Sequence, residues 1–213
     1  PERRRPLRAA TLRAAVVEVT TNRRVMTVVA TLSLGFGQMF IFLSTAPQVF
    51  ADVFDRQDSF PFWFAGVAMV AGLSGIVNAS LVMQLGMRRL AVAAFAMQCV
   101  VSVVFLVQWL AFPLPEPWGF AAFFAYMCAA FFMVGLTFGN LNALAMEPMG
   151  HIAGLAAAVI GSLSTIGAVL IAVPVGQLYD GTPVPLVAGV ALCSGLAFLL
   201  LRTVSESYTP ATP

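Results

Sequence analysis

Val25-Met26-Thr27-Val28-Val29-Ala30-Thr31-Leu32-Ser33-Leu34-Gly35-Phe36-Gly37-Gln38-Met39-Phe40-Ile41-Phe42-Leu43-Ser44-Thr45-Ala46-Pro47-Gln48-Val49-Phe50-Ala51 runs from Arg24 to Asp52 without a single charge. An α-helix crosses the hydrocarbon core of a bilayer in about 20 residues, so this run holds one crossing and part of a turn. Five more intervals repeat the pattern: Asp58 to Arg88, Arg89 to Glu116, Glu116 to Glu147, Glu147 to Asp180 and Asp180 to Arg202 enclose no Asp, Glu, Lys or Arg. The apolar runs are continuous and lack the alternation of a membrane strand, which excludes a barrel. The reading is an all-α membrane protein with six transmembrane helices, their cores near 26–50, 61–85, 90–112, 119–145, 153–178 and 184–201. Turn residues fall between them, at Asp58-Ser59-Phe60-Pro61, Pro113-Leu114-Pro115-Glu116-Pro117 and Asp180-Gly181-Thr182-Pro183.

Composition agrees. Of 213 residues 60% are hydrophobic and 9% charged, and the mean hydropathy is +0.93; soluble domains carry about a quarter charged residues. A water-soluble globule, a disordered chain and a disulfide scaffold are therefore excluded. The net charge of +2 comes from arginines gathered near one end, not from a basic face, so no nucleic-acid partner is expected. Cys99, Cys128 and Cys193 lie inside apolar runs and read as small packing residues. The chain opens Pro1-Glu2-Arg3-Arg4-Arg5, which reads as a piece of something longer. No signal peptide is expected, because the apolar run that follows is too long for one.

Lys and Arg accumulate on the cytoplasmic side of short loops. With the amino end inside, Arg3, Arg4, Arg5, Arg8, Arg13, Arg23, Arg24, Arg88, Arg89 and Arg202 are all cytoplasmic and only Arg56 lies outside. Both termini are then cytoplasmic, with 1–24 a linker, 25–201 the helical bundle and 202–213 a tail. Residues 7–24 fit either a short interfacial helix or an unstructured linker.

No acidic or basic side chain lies near the middle of any span, although such a group is the usual mark of an intramembrane proton relay. Glu147 and His151 come nearest, in the turn-like Met146-Glu147-Pro148-Met149-Gly150-His151. Glu147 is expected by the amino end of the fifth helix, where the dipole favours it. The lone His has no second ligand at metal spacing, and no zinc-protease motif, phosphate loop or nucleophile elbow occurs, so neither a metal, a cofactor nor an enzymatic reaction is expected. What remains is uncharged polarity. Thr27, Thr31, Gly35, Gln38, Phe42 and Thr45 share one face of the first helix; Cys128, Gly135, Gly139 and Asn142 form a stripe on the fourth. Each stripe fits a wet cavity or helix-to-helix packing, and Gly135-x-x-x-Gly139 leans towards packing. Small residues at Ala68, Gly72, Gly75 and Ala79, and at Gly154, Ala158, Gly161 and Ala168, read as close-contact seams, and Asn78 as a hydrogen-bonding partner of a neighbouring helix. Pro47 and Pro174 stand near the outer ends of their helices, where a kink could gate but is more often only geometry.

Three stretches carry a resemblance. They are Ser44-Thr45-Ala46-Pro47-Gln48-Val49-Phe50 with Ser59-Phe60-Pro61 and Phe64-Ala65; Asn78-Ala79-Ser80-Leu81-Val82 with Leu85-Gly86-Met87-Arg88-Arg89; and Asn142-Ala143-Leu144-Ala145-Met146-Glu147-Pro148-Met149-Gly150-His151-Ile152-Ala153-Gly154, continuing to Gly161 and Gly176-Gln177-Leu178-Tyr179-Asp180-Gly181-Thr182. The chain resembles the carboxy-terminal half of a major facilitator superfamily transporter, of the Bcr/CflA drug-efflux group. The resemblance implies a half-bundle of two inverted three-helix repeats in the bacterial inner membrane. Its partners would be the lipid bilayer, an amino-terminal six-helix half carrying the coupling carboxylate, protons and a small amphipathic drug-like substrate. Gln38, Phe42, Thr45 and Asn142 would then face the central cavity, and Pro47, Arg88, Arg89, Glu147 and His151 would serve gating or loop roles. The rival expectation is a half-size protein that builds its cavity as a homodimer.

Overall fold

A computed structural model describes residues 9–204 and, among them, shows helices and no strand. A short helix α1 (Ala9–Thr21) precedes six long apolar ones: α2 (Arg23–Asp52), α3 (Phe60–Leu85), α4 (Met87–Ala111), α5 (Trp118–Met146), α6 (Ala153–Gln177) and α7 (Val184–Arg202). Within Trp118–Gln177, α5 and α6 are separated by the 3-10 turn Glu147–Ile152, which carries Glu147 and His151. Helices of this length and hydropathy make the chain a multi-pass membrane protein. Residues 9–21 of the basic amino-terminal stretch are helical. This helix packs against α6 and α2 through Ala15 and Val19. Residues 1–8 of the linker and the tail beyond 204 lie outside the described residues.

The boundaries follow local chemistry. Asn22 caps α2 by accepting from the Val25 amide (3.2 Å). Pro61 sits in the first turn of α3, where its missing N–H costs nothing. Gly86 alone joins α3 to α4 with φ of +79° and ψ of 155°, a conformation that only glycine adopts without strain.

Ion pairs and hydrogen bonds at the helix ends fix the directions. Arg24, opening α2, binds Glu147 just ahead of α6 (2.7 Å), and Tyr179 just beyond α6 donates to Asp52 at the end of α2 (3.1 Å). So α2 and α6 run parallel. Arg56, beyond α2, reaches Glu116 ahead of α5 (3.4 Å) and lies over the Phe120 ring (4.4 Å), so α5 runs the other way. Arg88 at the start of α4 donates to the carbonyls of Leu201 (3.2 Å) and Arg202 (2.9 Å), neutralising the negative end of α7. Arg23, Arg24, Arg88, Arg89 and Arg202 thus stand at one end of the bundle and Arg56 at the other.

Helix contacts define two layers. In front, α3, α5, α2 and α6 lie side by side in that order; behind, α4 backs α5 and α7 backs α2. The core divides along its length. Towards the basic end it is mainly aliphatic, with Val28, Leu32, Leu141 and Leu144; towards the other it is aromatic, with Phe50, Phe105, Phe120 and Phe123.

The two expected small-residue seams are not where the helices meet. Ala68, Gly72, Gly75, Ala79, Gly154 and Ala158 are exposed, and a Cβ built on Gly72, Gly75, Gly154 or Gly161 would touch nothing within 4 Å. Of the eight residues only Ala168 is buried. The close approaches lie elsewhere: a Cβ on Gly135 of α5 would collide with Ser74 of α3, and one on Gly167 of α6 with Ser33 of α2. Small residues on both sides of each crossing let the backbones come together.

Candidate functional site

Helix α2 touches α5, α6 and α7, and it carries uncharged polar residues on two faces. The inner face is the one picked out by the spacing. Thr31, Gln38, Phe42 and Thr45 are all buried. Gln38 Oε1 accepts from the Ser194 hydroxyl of α7 (2.9 Å), and the Phe42 ring lies 5.6 Å from those of Tyr126 and Phe131 on α5. Thr31 satisfies its hydroxyl on the Thr27 carbonyl (2.9 Å), a local bond that commits its proton within α2.

The outer face carries Phe40, Ser44 and Gln48. With Val169, Val173 and Gln177 of α6 they line a groove of about 350 Å³ that opens to the outside of the bundle. Ser44 and Gln48 are exposed; the Gln48 amide donates to the Ser44 carbonyl (3.0 Å) and the Ser44 hydroxyl to that of Ile41 (3.1 Å). These residues stand four apart on one face, a spacing present in the sequence but outside the stripes expected from it. The groove holds no charge. It offers one aromatic ring, valine side chains, a hydroxyl and two amides, a surface that holds a mostly apolar molecule by dispersion and orients it with a few hydrogen bonds.

The other sequence candidates separate. Asn142 is exposed on α5 and folds its amide back onto the Phe138 carbonyl (2.9 Å). It does not share a surface with buried Gln38, Phe42 and Thr45, so these four do not form one cavity lining within this chain. The asparagine that joins helices is Asn140, whose amide donates to Asn78 Oδ1 of α3 (2.7 Å), giving Asn78 the neighbouring-helix bond its sequence setting suggests. Pro47 is half-buried inside an unbroken α2. Arg89 is exposed beside Arg88. Glu147 stands in the turn ahead of α6, the fifth of the long helices, where it also ties α2 to α6 through Arg24, and His151 pairs with Glu18 of α1 (2.7 Å). At the opposite end the Tyr179 hydroxyl is pushed up to about 12 by partial burial and then by the neighbouring Asp52 and Asp180 carboxylates. Among the described residues no three His, Cys, Asp or Glu side chains gather as metal ligands would. No family model, curated protein or solved structure matches the chain.

Proposed function

We propose that the chain is one six-helix half of a transporter that exports small amphipathic molecules across the bacterial inner membrane, driven by protons. The observation that carries this reading is the front layer. There α3 and α6 turn glycines and alanines outward, those of α6 beside a polar-aromatic groove, and nothing among the described residues covers them. Bare small-residue stripes suit close approach by other membrane helices better than contact with lipid alone. A second bundle laid on this layer would convert the groove from a surface into the wall of a central cavity.

The contact pattern supports two inverted three-helix repeats. The packing of α2 on α6 and α7 is matched by that of α5 on α3 and α4, as expected if α2–α4 and α5–α7 are equivalent units entering from opposite sides. The arginine-rich end is cytoplasmic in this proposal, which leaves both termini inside. No acidic or basic side chain lies in the middle of α2 to α7, so the proton-coupling carboxylate belongs to the partner half. Ser44, Gln48, Gln177 and, further along the layer, Asn142 are the groups this half offers to substrate.

The test is proton-driven efflux of a cationic fluorescent dye in inverted vesicles, comparing the 213-residue chain with the same chain joined to the residues encoded upstream of it. Efflux from the joined protein alone is expected. Efflux from the short chain, with crosslinked dimers, would replace the two-half reading by a homodimer using the same face. No efflux from either would sink the transport proposal.

A further inference from the structure

At the junction of the aliphatic and aromatic halves of the core, four helices bring uncharged polar groups together. Gln38 of α2 accepts from Ser194 of α7, while its Nε2 has no partner among the described residues. On α4, Gln98 Nε2 donates to the Ser102 hydroxyl (3.2 Å), and its Oε1 has none. Ser102 gives its proton to the Gln98 carbonyl (2.8 Å) and accepts from the Tyr126 hydroxyl of α5 (3.1 Å). Gln38 is 6% exposed and Gln98 2%. One unpaired donor and one unpaired acceptor therefore sit deep in the bundle, and each costs the full desolvation of its group unless something answers it.

Both glutamines line the same small cavity between α2, α4 and α5, walled by Phe95, Met133, Val134 and Phe138. It offers about 10 Å³ to the centre of a water-sized sphere, room for one water. Thr137 lines it too, with its proton committed to the Met133 and Val134 carbonyls (3.0 and 3.1 Å), so its oxygen is left as an acceptor. One donor and two acceptors around a single-water space match the partners a buried water usually has.

We infer that this cavity is a binding site for one ordered water, which accepts from Gln38 Nε2 and donates to Gln98 Oε1 and Thr137 Oγ1. The water closes a continuous chain, Ser194 to Gln38 to water to Gln98 to Ser102 to Tyr126, that ties α7, α2, α4 and α5 into one unit. Front and back layers are thereby joined at mid-bundle, where apolar packing alone has no direction. The water site does not depend on transport.

The decisive measurement is nuclear Overhauser transfer between water and glutamine side-chain amides in the ¹⁵N-glutamine-labelled chain in lipid nanodiscs. The Gln38 signal is the one lost in Gln38→Met and in the double variant Gln38→Met, Gln98→Met. A cross-peak from that amide to water is expected; its absence overturns the proposal. Thermal unfolding gives a second arm. Each single substitution strands the other amide and is expected to lower Tm by about 4 °C, whereas the double variant, which strands neither amide, falls by clearly less than the sum. Strictly additive losses would show that the two glutamines do not answer a shared water.

Discussion

The two polar stripes of α2 differ less in chemistry than in what stands opposite them. Gln38 and Gln48 are the same residue on one helix, yet Gln38 is buried against Ser194 and Gln48 is exposed on a groove. Thr45 and Ser44 are adjacent hydroxyls, one 2% exposed and the other open. In water such a difference would be written in polarity, because the exposed face would carry charges. In a bilayer both faces of a helix may stay apolar, so polarity has no address of its own and neighbouring helices assign it. The inner stripe holds the bundle together; the outer one remains available.

The largest expected effect breaks the comparison most directly. Gln38→Glu places a carboxyl group in the core with no cation in reach, and should cost about 3 kcal/mol or drive loss of folded protein. Gln48→Glu, facing the groove near the end of α2, should purify with nearly unchanged Tm. Equal behaviour of the two in detergent would show that the faces are not distinct. A second pair tests the packing behind them. Gly167→Ala drives a methyl group into Ser33 across the α2–α6 crossing and should cost about 2 kcal/mol. At Gly176 the new methyl would meet Ser44 Oγ at 3.6 Å, an ordinary contact, and Gly176→Ala should be neutral or raise stability by up to about 0.5 kcal/mol in chemical denaturation. On α3 the same contrast is milder. Asn78→Ala removes the bond to Asn140 and should cost about 1 kcal/mol, whereas exposed Ser80→Ala, which loses only a bond to its own helix, should be silent.

These pairs also mark how far the sequence is legible. Intervals between charges locate all six long helices to within a turn, because a charge in hydrocarbon is costly enough to be excluded from every span. Periodicity likewise places Thr31, Gln38, Phe42 and Thr45 on one face of α2. It does not say whether that face looks into this bundle or out of it, since the alternatives use the same residues. The glycines show the same limit. Gly72, Gly75 and Gly154 have the spacing of a seam yet face outward, while the crossings use Gly135 with Ser74 and Gly167 with Ser33, pairings across helices that no single-helix pattern contains. Gln98 and Ser102 escape a sequence reading for a related reason. Standing four apart on an otherwise apolar α4, they form a site only with groups from other helices, Tyr126 and Gln38 among them.

The smallest effect on stability should be the most informative about function. Ser44→Ala and Gln48→Ala remove hydrogen bonds made only within α2, at exposed positions, and together should change unfolding free energy by less than about 0.5 kcal/mol. If the chain exports such molecules as proposed and the groove meets substrate, the pair should nevertheless shift export of different dyes by unequal factors, several-fold for those bearing hydrogen-bonding groups and little for purely apolar ones, because a lost polar contact is felt only where the ligand supplies its other half. Gln38→Ala should do the reverse. It strands the Ser194 hydroxyl and disturbs Gln98, so stability falls while the ratio of export rates among dyes stays put. An export profile that follows Gln38 and ignores Ser44 and Gln48 would mean that the transporting conformation opens the bundle core, and the inner stripe, not the outer one, would then be the surface that meets substrate.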